Sequence, residues 1–142
     1  MTVSSSRQAI VGDASVALKW VCEEEGSDRA ASLLTGRPLV APALWLVETA
    51  NALWRRVQRG ELTGREADER IAALTTAPVR ALDVQDLISD ALKLACTLGH
   101  PVYDCLYLVA ASRCQGLVIT ADRRFHAAAA GHAEYGAMIA LL

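Results

Sequence analysis

The sequence predicts an α/β fold, a three-layer α/β/α sandwich built on a central, mainly parallel sheet. Short apolar runs at 9–11, 39–41, 79–82 and 117–120 alternate with longer stretches of helical periodicity, the pattern of a parallel sheet covered by helices. Leu117-Val118-Ile119-Thr120 is the clearest of these runs and reads as a buried strand. With 142 residues, the chain has the size of one ordinary domain, so its segments share a single core across 1–142.

Each element has its own signal. Ala9-Ile10-Val11 closes on Gly12-Asp13, and a helical pattern starts at once with Val16, Leu18, Trp20 and Val21. A polar break from Glu23 to Ser27 precedes a helical stretch from Ala30 to Leu34, and Gly36 and Pro38 mark a turn before the strand Leu39-Val40-Ala41. Pro42 fits the entrance of the next helix, where a missing N–H is tolerated. That helix runs to about Arg59, stops at Gly60, and pairs with a second helix from Gly64 to Thr76 that ends near Pro78.

Val79 to Leu82 returns to strand, and Asp86 is placed to cap a helix reaching Leu98. Gly99-His100-Pro101 interrupts the chain before a helix beginning at Asp104. After the strand 117–120, Ala121-Asp122 opens a short helix through Ala130, and Ala137 to Leu142 adds a weak strand or helix. Met1 to Arg7 reads as a flexible start. No repeat or low-complexity tract interrupts this order beyond the Ala127 to Ala130 run, which is helical.

Composition limits the function classes. The longest uncharged apolar stretch, Leu39 to Val47, falls well short of the roughly 18 to 20 residues that span a bilayer. The polar opening lacks a secretory pattern, so a cytoplasmic location without membrane association is expected. Cys22, Cys96, Cys105 and Cys114 are too widely spaced for a zinc ribbon or a disulfide framework and read as buried free thiols. His100, between Cys96 and Cys105, does not fit a usual zinc spacing. The formal charge of −2 carries no general attraction for nucleic acid, so any phosphate-binding surface has to be local.

The chemistry rests on isolated carboxylates. Asp13 and Asp122 each follow a strand and precede a helix, at the carboxyl edge of the sheet where ligands settle in open α/β folds. Asp104 stands at a predicted helix start, where an acid can equally be an ordinary cap. Glu48 interrupts the apolar run Leu44-Trp45-Leu46-Val47, on or beside the buried face, and needs a partner there. A salt bridge to Arg55 or Arg113 would supply one; so would a metal.

Were the four to meet, each pair of charges about 4 Å apart would repel by about 4 kcal/mol at an effective dielectric near 20. Protons or cations must then intervene. Oxygen-only ligation with room for water suits Mg²⁺ or Mn²⁺, and such a cation matches phosphodiester hydrolysis. Ser15 and Thr120, each two residues from an acid, can orient a carboxylate or water, or serve only as local caps.

Four segments resemble the PIN-domain family, especially the VapC-like toxins of toxin–antitoxin modules. They are Val11-Gly12-Asp13-Ala14-Ser15-Val16-Ala17-Leu18, Glu48-Thr49-Ala50-Asn51-Ala52-Leu53, Tyr103-Asp104-Cys105-Leu106-Tyr107-Leu108 and Thr120-Ala121-Asp122-Arg123-Arg124-Phe125. The resemblance spans nearly the whole chain. It implies an endoribonuclease using Mg²⁺ or Mn²⁺, with Asp13, Glu48, Asp104 and Asp122 as metal ligands, Thr120 assisting and Asn51 in support. It also implies a cognate antitoxin that blocks the site, and commonly a homodimer. The alternatives are a noncatalytic RNA- or protein-binding module of the same fold and a stand-alone RNA-processing nuclease.

Two other acid-edge enzymes fit less well. A phosphotransfer receiver needs a late lysine in its pocket, yet the only lysines are Lys19 and Lys93. A haloacid-dehalogenase-type phosphatase prefers Asp-x-Asp after its first strand, where this chain has Asp13-Ala14-Ser15. For RNA contact the available cations include Lys19, Arg55, Arg56, Arg59, Arg113, Arg123 and Arg124, the last two nearest a proposed ligand. Trp20, Trp45 and Trp54 are assigned to packing, with Trp45 and Trp54 also able to serve a dimer or antitoxin surface.

Overall fold

The first apolar run of the chain forms the middle of a sheet. The computed structural model describes residues 8–142; the expected flexible start, 1–7, lies outside them. The strands are β1 (Ile10–Gly12), β2 (Leu39–Pro42), β3 (Val79–Leu82), β4 (Leu117–Thr120) and β5 (Ile139–Leu141). They lie in the order β3-β2-β1-β4-β5, and every neighbouring pair is parallel. The helices are α1 (Ala14–Val21), α2 (Ser27–Ser32), α3 (Trp45–Gln58), α4 (Gly64–Leu74), α5 (Ile88–Leu98), α6 (Val102–Cys114) and α7 (Arg123–Ala130).

Successive strand residues point to opposite faces. Ile10, Leu39 and Ile119 pack with Val16 of α1 and Ala30 of α2. Val11, Val40 and Val118 pack with a larger core that includes Leu106, Tyr107 and Val109 of α6 and Ala91 and Leu94 of α5. The result is the expected α/β/α sandwich, its sheet fully parallel. All seven residues from Cys105 to Ala111 are buried, as befits a helix that is apolar all round. Residues Asp104 and Tyr107 therefore project from a fixed support.

Several local expectations move. Pro42 ends β2, paired with Leu82, instead of opening α3; a strand's end leaves its missing N–H without consequence. The second helix starts earlier, at Ser27. Asp86 does not cap α5: Asp83 caps a short 3-10 turn over Val84–Asp86, and Leu87 then leads into α5. Pro101, locked in an extended conformation, is the residue before α6, so Asp104 lies inside the first turn and is not its cap. The terminal segment resolves as a strand, β5. Cys22 and Cys105 are buried free thiols, whereas Cys96 is exposed.

Candidate active site

From β1 the chain runs outward to β2 and β3, then returns to β4 on the other side of β1. Crevices at the carboxyl ends of strands form where the order reverses in this way. Asp13 follows β1 and Asp122 follows β4, so the two acids flank that point. Glu48 comes from α3 and Asp104 from α6. All four line one cavity of about 620 Å³, together with Ser15, Asn51, Arg55, Tyr103 and Tyr107.

Asp13 is the most enclosed of the four, 5% exposed. It caps α1, Oδ1 accepting from the Val16 backbone N–H at 3.3 Å. Ser15 Oγ donates to Oδ1 at 2.5 Å and Thr120 Oγ1 to Oδ2 at 2.5 Å. The same hydroxyls accept from the next turn of chain: Ala121 N–H donates to Ser15 Oγ at 2.9 Å and Asp122 N–H to Thr120 Oγ1 at 3.0 Å. Ser15 and Thr120 thus fasten the end of β1 to the end of β4. Burial pushes the Asp13 carboxyl up to about 6, against the opposing pull of these hydrogen bonds.

Each of the other acids is engaged by the protein through one of its oxygens. Glu48 Oε1 accepts from Tyr107 Oη at 2.7 Å, and neither Arg55 nor Arg113 reaches it; Arg113 pairs with Asp90 instead. Asp104 Oδ2 stands 2.6 Å from His100 Nε2, and the His100 ring is stacked on Phe125 at 5.5 Å. Asp122 caps α7, Oδ1 accepting from Arg124 N–H at 2.9 Å and Phe125 N–H at 3.3 Å. Burial raises both Glu48 and Asp104, with Asp104 adding to the rise of Glu48 and Asp122 to that of Asp104.

Three oxygens remain without a hydrogen bond to the described residues: Glu48 Oε2, Asp104 Oδ1 and Asp122 Oδ2. Asp122 is exposed, and no enclosed side-chain oxygen among the described residues lacks a partner, so all three are open to solvent. This donor set is hard, anionic and mutually repulsive, the chemistry that fits a Mg²⁺- or Mn²⁺-sized cation. Among the described residues, however, no three His, Cys, Asp or Glu side chains stand close enough together to hold a metal as placed. Each carboxylate is turned to a protein donor.

Two partners of these acids, Tyr107 and His100, are not apparent from the sequence. Tyr107 is three positions after Asp104, on a neighbouring part of the same helical surface, and that spacing is the signal that could have found it. His100 is four positions before Asp104 but outside the helix, and no periodicity links them. Tyr103 is also a cavity residue, 64% exposed. Trp45 is buried, edge-on to Trp20, and offers no docking surface; Trp54, 56% exposed, does.

An acid-lined cavity at the carboxyl edge of a five-stranded parallel sheet defines the class. The chain belongs to the PIN domain family, whose model matches residues 10–131. Within it the chain is similar to Ribonuclease VapC3 of Pyrobaculum aerophilum, 30% identical over 118 residues that make up 81% of this chain and 89% of the relative. Two crystal structures share the fold. PAE2754 from Pyrobaculum aerophilum aligns with a TM-score of 0.63 at 21% identity, covering 86% of each chain. Mycobacterium tuberculosis VapC20, described as a Sarcin-Ricin loop cleaving toxin, aligns at 0.65 with 20% identity, covering 84% of this chain and 94% of its own.

Proposed function

We propose that the chain is a metal-dependent endoribonuclease and the toxin of a toxin–antitoxin pair, acting on RNA through Asp13, Glu48, Asp104 and Asp122. The observation that carries this reading is the lining of one cavity by four carboxylates, three with a free oxygen and none paired with an Arg or Lys among the described residues. The similarity to Ribonuclease VapC3 supports RNA as the substrate class, and the resemblance of the four sequence segments to VapC-like toxins supports an antitoxin.

Glu48, Asp104 and Asp122 would hold the cation through their free oxygens, with Asp13 joining as its Ser15 and Thr120 bonds adjust. A bound Mg²⁺ or Mn²⁺ would polarise the phosphoryl group and ease ionisation of the attacking water. The chain's own residues do the positioning. Thr120 and Ser15 hold Asp13 ionised in a buried place by donating to it, Tyr107 fixes the rotamer of Glu48, and His100 fixes that of Asp104. An ionised carboxylate with an unused oxygen can also take the proton from water within hydrogen-bond reach.

The reading includes a cytoplasmic protein acting as one domain, and a homodimer. Among the described residues no single helix is long and apolar enough to cross a membrane. Exposed Val47 and Tyr103 at the cavity offer apolar contact to an antitoxin. The deciding experiment is cleavage of total RNA by purified protein with Mg²⁺ or Mn²⁺. Cutting that stops in chelator and in folded Asp13→Asn and Asp104→Asn variants is expected. Cutting retained by both variants overturns the assignment, and cutting that no copurifying small protein inhibits favours a stand-alone nuclease.

A further inference from the structure

We infer that the notch beside the acidic cavity, walled by Lys19, Arg29 and Arg123, is a docking subsite for a backbone phosphate of the RNA, next to the phosphate being cut. The inference rests on the nuclease reading above and locates where the substrate's charge is neutralised. A cavity lined by four acids repels a polyanion, and the chain as a whole carries −2. Beyond Arg55, which lines the cavity itself, affinity for RNA then draws on cations at the cavity's rim.

The notch, about 200 Å³, is lined by those three cations and by Glu25, Gly26, Ala121 and the ends of Leu141 and Leu142. It shares a wall with the acidic cavity. Ala121 and Arg123 line the notch while Asp122, between them, lines the cavity; on α1, Leu18 faces the cavity and Lys19 the notch. The two depressions therefore adjoin along 121–123 and at 18–19, which puts the notch on the flank of the acidic cavity.

The charges are available. Arg29 and Arg123 make no ion pair with the described residues, in contrast to Arg56, Arg59, Arg65, Arg70 and Arg113. Lys19 donates to Glu24 at 3.0 Å and to the Glu25 carbonyl at 2.6 Å, but Glu24 is shared with Arg56, so one carboxylate faces two cations. Gly26 has φ +85°, and a Cβ there would stand 3.5 Å from Arg29 Nη2 and 3.6 Å from Lys19 Cδ. These are ordinary contact distances, so the left-handed backbone is what calls for glycine here, and Arg29 and Lys19 both lie beside it. Glu25 is the acidic side chain of the notch, and no ion pair among the described residues ties it to either free arginine.

The test measures binding of a labelled single-stranded RNA of mixed sequence across a salt series, in an Asp13→Asn background that does not cut. Arg29→Ala with Arg123→Ala is expected to weaken binding about tenfold and to flatten the log–log salt slope by about 0.7 for each phosphate left without its cation. Arg29→Lys with Arg123→Lys should recover most of both, which separates a missing charge from a damaged fold. Arg37→Ala with Arg65→Ala removes the same charge elsewhere and should do neither. An unchanged slope, an equal weakening in the control pair, or weakening confined to a copurifying protein partner overturns the subsite. Wild-type cleavage of the same RNA, measured in parallel, reports separately on the nuclease reading.

Discussion

Thr120 Oγ1 donates to Asp13 Oδ2 at 2.5 Å across 107 positions of sequence, and this bond fastens the end of β4 to the end of β1 beneath the acidic cavity. Thr120 is fully buried and also accepts from Asp122 N–H. Thr120→Val keeps the shape but removes both roles, leaving a buried carboxylate oxygen and a backbone N–H short of partners. Each such loss costs about 1–3 kcal/mol. Denaturant unfolding should show a drop of about 2–6 kcal/mol for the two losses together and RNA cleavage a fall of tenfold or more, with Thr120→Ser recovering both. Full activity in the valine variant would remove Thr120 from the site.

Burial of Asp13 makes the apo protein's stability depend on pH. The folded state holds this proton up to about pH 6, above the ordinary range of an unfolded Asp, so the native state binds more protons than the unfolded one between those limits. Its stabilising effect is complete below the unfolded pKa and is lost as pH rises through about 6, a loss of about 3 kcal/mol by pH 7. Asp13→Asn should therefore raise the melting temperature at pH 7 in chelator, with the gain shrinking toward pH 4. Mg²⁺ should stabilise the wild type at pH 7, by about 2.7 kcal/mol at 100 times its Kd, and the variant far less. An Asn variant that melts lower at pH 7 in chelator would show that Asp13 is not strained by its charge.

The strands on either side of the site were legible because a buried parallel strand is an unbroken apolar run, and an acid follows both β1 and β4 within two residues. What misled was residue chemistry shared between two settings. Proline suits both the first turn of a helix and the end of a strand, so Pro42 could not be assigned locally. Asp122 was legible both as a cap and as a cavity acid because it is both. Trp45 and Trp54 lie nine positions apart, about two and a half turns at about 3.6 residues per turn. They sit on opposite faces of α3, one buried and one exposed. The partnership of His100 and Asp104 depends on how Pro101 turns the chain into α6, and the notch of Lys19, Arg29 and Arg123 on side chains from three separate elements lining one depression; neither leaves a periodic trace.

Tyr107 acts on the site through Glu48. Its hydroxyl lowers the Glu48 carboxyl against the rise that burial imposes, so Tyr107→Phe should push Glu48 further up. A protonated Glu48 cannot ligate a cation. The acid limb of the rate profile should move to higher pH, and half-maximal activity should need several times more Mg²⁺, with much of the maximal rate recovered at saturating metal. A purely structural role would lower the rate without moving either the pH limb or the metal requirement. An unmoved pair of curves would assign Tyr107 to packing alone.

Asp122 separates capping from chemistry. Its Oδ1 accepts two backbone N–H bonds at the start of α7, while Oδ2 carries none from the described residues. Asparagine retains an acceptor oxygen for the cap and loses the charge; alanine loses both. Asp122→Ala should destabilise the fold by about 1 kcal/mol, whereas Asp122→Asn should stay within a few tenths. If the free oxygen serves the metal, cleavage should fall at least tenfold in both variants despite that difference in stability. If Asp122 is only a cap, activity follows stability instead, and the asparagine variant cuts RNA like the wild type. Measuring unfolding and cleavage on the same two preparations distinguishes these outcomes.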